Sequence, residues 1–420
     1  MRERFKLERA RRIVKWLYPG IGIKRWIGVS VFGIALVIVG TLNLDKEPIF
    51  LLRLLNIILI FLGISLLVLG FVRTIRSFIY FFLPELEKKK EFADIIYRRR
   101  QLERGPNIVA IGGGHGLSVS LEALREYTSN ISAVVTVADS GGSTGKLREQ
   151  FDILAPGDIR NCLVALADAP ELMRKLFQFR FGSSSPELEG HSFGNLFITA
   201  MTKVTGDFDI AVKESSKVLA IHGQVIPSTL SNVNLVAEYK DGSFIEGEAK
   251  IPEVRRPIKR VWLKPEGSQA NQEALRAIQE AAIIVFGPGS LYTSIIPNLL
   301  VKEIGEAIAA SDAVKIYVCN IMTQPGETDG FSASEHLNVL LAHTCPEIVD
   351  YCLVNTGSIS QELRERYKQE DSCPVVADTR RIRNMGYRAI EENVIAVSNN
   401  YIRHDSTKLS RIILGLIEEI

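Results

Sequence analysis

Cysteine is scarce and unpatterned: the five present, Cys162, Cys319, Cys345, Cys352 and Cys373, include no C-x-x-C pair. An odd set of this kind in a cytosol-facing domain reads as reduced thiols and argues against zinc. A dominant charge is lacking as well. The 50 Lys and Arg against 48 Asp and Glu leave a formal net charge of +2, so no field of the whole protein argues for nucleic acid. No internal repeat or low-complexity tract stands out, and no Ser-His-Asp or Cys-His set offers a nucleophile with its base.

The 420 residues exceed what one core usually serves, so a globular domain with an appendage is expected. Two long apolar runs mark the appendage. Ile27 to Leu42 lies between Lys24-Arg25 and Asp45-Lys46, and Leu54 to Val72 is broken only by Asn56 and the near-neutral Gly63, Ser65 and Gly70. Both approach the roughly 20 residues a helix needs to cross a bilayer, which predicts a hairpin of two transmembrane helices within 27–72. Neither run has the polar stripe of a surface-packed helix. A cleaved signal peptide would leave the second run and the long basic leader, 1–26, unexplained. Arg2, Arg4, Lys6, Arg9, Arg11, Arg12, Lys15, Lys24 and Arg25 precede the pair, and Arg73, Arg76, Lys88 to Lys90 and Arg98 to Arg100 follow it. Both termini and the main domain are therefore expected on the cytoplasmic side of the cell membrane, with the basic clusters beside anionic headgroups. Residues 73–104 read as a charged juxtamembrane helix that Gly105-Pro106 ends.

From 105 onward the pattern becomes short β-branched runs followed by loops of small residues. Asn107 to Ile111, Ile131 to Ala138, Ala281 to Phe286, Ala313 to Cys319 and Ile348 to Val354 are five such strands. Leu117, Leu121 and Leu124 have the spacing of a helix on a sheet, and Ile210 to Ile221 and Asn271 to Ala281 supply further covering helices. Alternation around Asp241-Gly242, within Val233 to Lys264, marks an antiparallel hairpin. The fold class expected for 105–420 is α/β: a doubly wound, mostly parallel sheet with a small antiparallel excursion and functional loops on one edge. Leu409 to Ile417 reads as an amphipathic terminal helix, able to pack on the core or on a second subunit.

Two loops stand out for glycine. Ile111-Gly-Gly-Gly-His-Gly116 and Asp139-Ser-Gly-Gly-Ser-Thr-Gly145 each follow a strand, so their backbone N–H groups can close on a phosphate with little obstruction. One crossover apart, they lie side by side at the carboxyl ends of a parallel sheet. A nucleotide or phosphorylated sugar in one site is the expectation. The first loop departs from the dinucleotide fingerprint, because the third glycine falls at Leu117 and Asp139 is the one candidate ribose acid, so NAD is a lesser reading. The second is no P-loop: three residues separate Gly141 from Gly145, and Leu147 stands where Ser or Thr must hold magnesium. It does offer the Asp139 carboxylate, the Ser143 and Thr144 hydroxyls and free N–H groups, a set suited to phosphate or hydrated Mg²⁺. The plain alternative is a helix cap by Asp139 or Ser143. Pro156-Gly-Asp-Ile-Arg-Asn161 puts Asp158 and Asn161 one turn apart, toward one ligand, with Arg160 free to pair with a carboxylate. Asp158 as a helix cap is the alternative. His191-Ser-Phe-Gly-Asn195 precedes an apolar helix whose N-terminal dipole favours an anion.

Together with Gly287-Pro-Gly-Ser-Leu-Tyr292 and Met322-Thr-Gln-Pro-Gly-Glu-Thr-Asp329, these motifs resemble the gluconeogenesis factor family (YvcK-like proteins), which is related to the CofD-like 2-phospho-L-lactate transferases of deazaflavin coenzyme synthesis. The resemblance runs from Pro106 to the C-terminal helix, leaving the membrane hairpin outside it. It implies a Rossmann-like core that forms homo-oligomers and binds a nucleotide diphosphate, here a UDP-sugar such as UDP-N-acetylglucosamine. It also implies a role in cell-wall balance and cell shape under gluconeogenic growth, with cell-wall synthesis proteins as partners. A transferase using a nucleotide-diphosphate donor and Mg²⁺ is the alternative. Carried onto this chain, ligand binding falls to Gly113, Gly114, His115 and Gly116, and to Asp139, Ser140, Gly141, Gly142, Ser143 and Thr144. Asn195, Gly289, Ser290 and Tyr292 follow, and Asp158, Asn161, His191, Gly287, Thr293 and Gln324, which lie in the same motifs, are candidate contacts beside them. Asp139 and Asp158 are the candidates for catalysis and Asp139 for metal. Tyr292 is expected as an exposed loop residue that stacks a base or closes over a sugar. His115 stands where the family pattern has Thr, and Ser140 where a second Asp is common, which weakens a two-carboxylate magnesium site.

Overall fold

The computed structural model describes residues 23–44, 49–82, 92–183, 187–398 and 400–418, and the chain divides into two units, Met1–Arg98 and Arg99–Ile420. In the first unit, helices Ile23–Leu44 and Phe50–Phe82 pack along each other, and glycine is where they touch. A Cβ on Gly33 would lie 2.6 Å from the Gly63 carbonyl oxygen, and one on Gly70 would lie 2.7 Å from that of Trp26. Small residues of this kind let apolar helices bring their backbones together. By length and composition both helices are apolar enough to cross a membrane, and only 11% and 17% of their most apolar windows are buried, unlike the helix of a soluble core. The second helix continues past Val72 to Phe82, and a separate helix, Phe92–Glu103, stands in place of the single one expected over 73–104. The leader through residue 22, Asp45-Lys46 and Lys88 to Lys90 lie outside the described residues.

In the second unit the strands are, in chain order, β1 (Ile108–Gly112), β2 (Ile131–Val135), β3 (Gln224–Pro227), β4 (Asn234–Tyr239), β5 (Phe244–Glu246) and β6 (Ile258–Lys264). They continue with β7 (Ile283–Phe286), β8 (Val314–Val318), β9 (Tyr351–Asn355), β10 (Arg388–Glu392), β11 (Ile395–Ser398) and β12 (Tyr401–His404). Seven of them form a parallel sheet in the order β10-β9-β8-β7-β1-β2-β3. Near-continuous apolar runs such as Ile108 to Ile111 are what a sheet covered on both faces requires, and all four of these residues are buried. The strand order reverses between β1 and β7, the place where doubly wound folds open a crevice at the carboxyl ends. Register aligns those ends: Ile111 sits opposite Val134 and Phe286, and Phe286 opposite Tyr317.

The five expected parallel strands are present, and β3 and β10 are two more that the sequence pattern did not announce. Both are edge strands. β3 is four residues ending in Pro227, and β10 carries Arg388, Glu391 and Glu392, the short and charged composition that protects an edge. The antiparallel excursion is the three-stranded sheet β5-β4-β6, its hairpin turning at Gly242 with φ +83°. A second hairpin, β11 with β12, was not expected. The chain enters this unit at the amino end of β1, where Asn130 Nδ2 donates to the Gly105 carbonyl at 2.7 Å, opposite the crevice.

Candidate functional site

The turn after β1 is held from two sides. Asn298 Nδ2 donates to the Gly112 carbonyl at 3.0 Å, and Gly114, at φ +64°, opens helix Gly114–Leu124. Glycine is required by close neighbours: a Cβ on Gly113 would lie 2.3 Å from Asp158 Oδ2, and one on Gly116 2.3 Å from the Pro288 carbonyl oxygen. Asp158 is carried by helix Pro156–Leu166 but caps a different helix, accepting the Gly114 N–H. The expected cap role is thus real, on another element.

In the turn after β7, Ser290 Oγ donates to the buried Glu327 carboxylate and accepts the Thr293 hydroxyl at 2.6 Å, with Thr293 Oγ1 lying 3.4 Å from the same carboxylate. Asn320, just beyond β8, clamps the Gly289 peptide, its Nδ2 donating to the carbonyl at 2.8 Å while its Oδ1 accepts the N–H at 3.3 Å. Tyr292 is not the exposed ring the sequence led one to expect. It is 1% exposed and packs edge-on to His343 at 5.9 Å, and burial raises its hydroxyl pKa. The turn rotates this ring into the core, so it neither stacks a base nor closes over a sugar.

After β2, Asp139 Oδ1 accepts the Gly141 N–H at 2.8 Å, and helix Gly142–Phe151 follows with no side chain capping it. The buried Arg148 ties this turn to the start of β4. Its guanidinium donates to the Asp139 carbonyl (2.9 Å), Asn232 Oδ1 (2.7 Å), the Val233 carbonyl (2.9 Å) and Asn234 Oδ1 (3.0 Å). Ser140 faces away, its Oγ accepting from the Ala249 N–H at 3.2 Å. Ser143 Oγ meets His191 Nδ1 and Asn195 Nδ2, each at 3.1 Å. Arg160 does not pair with a carboxylate: it donates to Ser192 Oγ (2.5 Å), Asn195 Oδ1 (3.1 Å) and Asn161 Oδ1 (2.7 Å). Ser192 caps helix Phe193–Thr205, which answers the dipole that the His191 motif was expected to offer an anion.

These turns surround two joined cavities. The larger, about 610 Å³, is lined by Gly113 to Gly116, Asp139, Asp158, Gly289, Ser290, Thr293 and Gln324 among the expected residues. The smaller, about 310 Å³, is lined by Gly141 to Thr144, Asn161 and Asn195, and shares Gly114, His115, Asp139 and Asp158 with the larger. Ser140, His191, Gly287 and Tyr292 line neither. The pattern of expected residues did not include Glu248, Asn320, Arg403 and His404 in the larger cavity, or Arg160 and Arg180 in the smaller. For Arg403 and His404 a signal existed: two apolar runs about Asn399-Asn400 are a hairpin pattern.

The larger cavity is acidic. Burial, and then the neighbouring Asp139, raise Asp158 to about 7, while burial with Asp139, Asp158 and Glu327 raises Glu248 to about 8. His404 is lowered to about 4 by burial and bonds the Cys319 carbonyl through Nε2 at 3.2 Å, so this nitrogen carries the proton of a neutral ring. His115 is lowered by burial and by Arg403, Arg160 and Arg180, which marks where cationic charge gathers. Among the described residues no three His, Cys, Asp or Glu side chains group as a metal cage. Asp139 with Asp158 fits instead the one or two carboxylates that Mg²⁺ takes alongside phosphate oxygens and water.

Comparison with known proteins adds a frame to this geometry. The profile of the family described as 2-phospho-L-lactate transferase CofD matches residues 108–395. A Bacillus subtilis protein named Gluconeogenesis factor is 46% identical over 314 residues, 75% of this chain and 99% of its own. A relative from Nostoc sp. is 47% identical over 421 residues, 95% of this chain and 91% of its own. The remaining 5% is too short to hold the helical hairpin, so the likeness extends into the segment that the motifs had left outside it. A crystal structure of a UPF0052 family protein from Bacillus halodurans superposes with a TM-score of 0.72 at 44% identity, covering 74% of this chain and 99% of that one.

Proposed function

The chain belongs to the gluconeogenesis factor family, within the CofD-like group, and from that premise we propose that it is a membrane-tethered sensor of nucleotide sugars. The observation that carries this reading is the convergence of the turns after β1, β2, β7 and β8 on joined cavities of about 610 and 310 Å³, beside the reversal of strand order. Place and size suit a nucleotide diphosphate bearing a sugar, a UDP-sugar such as UDP-N-acetylglucosamine. The ligand acts by favouring one of two conformations or partner contacts. Those partners are cell-wall synthesis proteins and further copies of the chain, and the outcome is balanced wall growth and cell shape on gluconeogenic carbon sources.

The two apolar helices support the tether, and the basic Lys24 and Arg25 at the start of the first, Arg73 and Arg76 in the last third of the second and Arg98 to Arg100 beyond it favour both termini and the main domain on the cytoplasmic side. Anchoring raises the effective concentration of the sensor at membrane-borne partners. Calorimetric titration of UDP-N-acetylglucosamine into the detergent-solubilised chain tests the reading. Micromolar binding with the ligand recovered intact supports it, and no binding overturns it.

A second reading rests on the Asp139–Asp158 pair, whose mutual repulsion is the kind a divalent cation relieves. Held there, Mg²⁺ would stabilise charge on a departing phosphate, and the protein would be a transferase. Asp139 would hold the ion and the Gly113 and Gly141 turns would orient the donor. Turnover of a nucleotide-activated donor, lost in Asp139→Asn, would replace the sensor reading.

A further inference from the structure

Three glycine-rich turns open on the crevice, and at two of them an acid from elsewhere in the chain is already held. Asp158 accepts the Gly114 N–H at the first, and Glu327 takes the Ser290 hydroxyl at the second. A phosphate arriving at either would displace or repel a carboxylate already in place. At the third the acid is the turn's own Asp139, whose Oδ1 accepts the Gly141 N–H at 2.8 Å. Helix Gly142–Phe151 has ten residues, begins without a side-chain cap and opens on the 310 Å³ cavity. Lining that cavity are Arg160 and Arg180, with Ser143, Thr144, Asn161 and Asn195 as neutral partners and Asp139 and Asp158 on the side shared with the larger cavity. Arg160 is 6% exposed, and its Nε has no hydrogen-bond partner although both terminal nitrogens are held. Arg180 is exposed and anchored by one Nη1 bond of 2.8 Å to the Gly190 carbonyl.

Charge is graded along the crevice: Asp139 and Asp158 line both compartments, two arginines join them in the smaller, and further acids join them in the larger. The larger compartment has Asp139, Asp158, Glu248, Glu327 and Glu370 on its walls, against Arg403. Carboxylates accept hydrogen bonds from ribose hydroxyls but repel phosphate, whereas guanidinium groups at an uncapped helix N-terminus attract it. We propose that the smaller compartment is the phosphate subsite of this protein, with Arg160 and Arg180 as its cationic determinants. The hydroxyl-bearing nucleoside then lies toward the carboxylates of the larger compartment. The two compartments meet at Gly114, His115, Asp139 and Asp158, so one ligand can occupy both. The assignment rests on the nucleotide-sugar reading for the nucleoside half, but its phosphate half stands without it.

The test is calorimetry on the full-length protein in detergent with three probes: inorganic pyrophosphate, uridine and UDP-N-acetylglucosamine. Arg180→Gln removes the charge at an exposed position, and Arg180→Lys keeps it. Loss of a charge-assisted contact predicts pyrophosphate and UDP-N-acetylglucosamine affinities about tenfold or more weaker in Arg180→Gln, with partial recovery in Arg180→Lys and no change for uridine. Glu370→Gln, in the larger compartment, leaves pyrophosphate binding unweakened. Pyrophosphate binding that depends on Arg180 without any UDP-sugar binding would uphold the subsite and overturn the nucleotide-sugar reading. UDP-sugar binding that is indifferent to Arg180 would do the reverse.

Discussion

Replacing Asp158 with Asn removes a titrating proton from the centre of the acidic compartment while leaving an oxygen to accept the Gly114 N–H. In the folded protein Asp158 is raised from an ordinary 3.8 to about 7, by burial first and by Asp139 second. An acid with a folded pKa above its unfolded value binds more protons when folded, so stability falls as pH rises between the two values and levels off above the higher one. A rise of about three units corresponds to roughly 4 kcal/mol at about 1.4 kcal/mol per unit, lost between about pH 4 and pH 7. Glu248, raised to about 8, adds a loss of the same sign that reaches further toward alkaline pH and is itself lessened when Asp158 no longer ionises. Urea unfolding of the detergent-solubilised chain, followed by the fluorescence of Trp262 in β6, measures this at pH 5 and pH 8. Wild type is expected to be less stable at the higher pH, and Asp158→Asn to show a markedly smaller difference. Parallel profiles for the two proteins would refute the claim that a half-buried, mutually repelling carboxylate pair shapes this site.

Gly116→Ala places a Cβ 2.3 Å from the Pro288 carbonyl oxygen and forces the β1 and β7 turns apart, so a loss of about 1–3 kcal/mol in urea unfolding is expected, with weaker nucleotide binding. Tyr292→Phe should leave UDP-sugar affinity unchanged in calorimetry, because the ring is core. Tyr292→Ala should instead lose about 3–5 kcal/mol of stability from the cavity it leaves against His343. Arg148→Met keeps most of the side-chain volume but leaves the Asp139 and Val233 carbonyls without their donor. A loss of more than about 2 kcal/mol, seen as a lowered urea midpoint, is expected together with faster proteolysis of the turn after β2.

The parallel core was legible because its central strands are apolar on both faces and each runs straight into small residues, as Ile108 to Gly112 does. Where this pattern stops, so does legibility: Pro227 ends β3 and three charges occupy β10, features that keep an edge strand from pairing and also hide it among loops. The hairpin that brings Arg403 and His404 to the crevice is equally local in its signal, but only tertiary packing places it against Cys319.

The site shows a sharper division between local and distant causes. Glycine at 113–116, 141–145 and 287–289 announces turns that expose backbone N–H groups, and on this evidence the three are equivalent. What separates them is an acid supplied from far along the chain: Asp158 reaches the first turn from another helix, and Glu327 reaches Ser290 across 37 residues. No spacing rule within a turn encodes such a partner. The same local signal therefore yields two turns held by a distant acid and one, before Gly142, held only by its own Asp139, with the helix beyond it left without a side-chain cap. If carboxylate caps rather than glycine content decide where phosphate binds, Glu327→Gln should strengthen pyrophosphate binding to the full-length protein in calorimetry by lowering the negative charge at the second turn. Weaker binding would show that Glu327 helps to hold the anion.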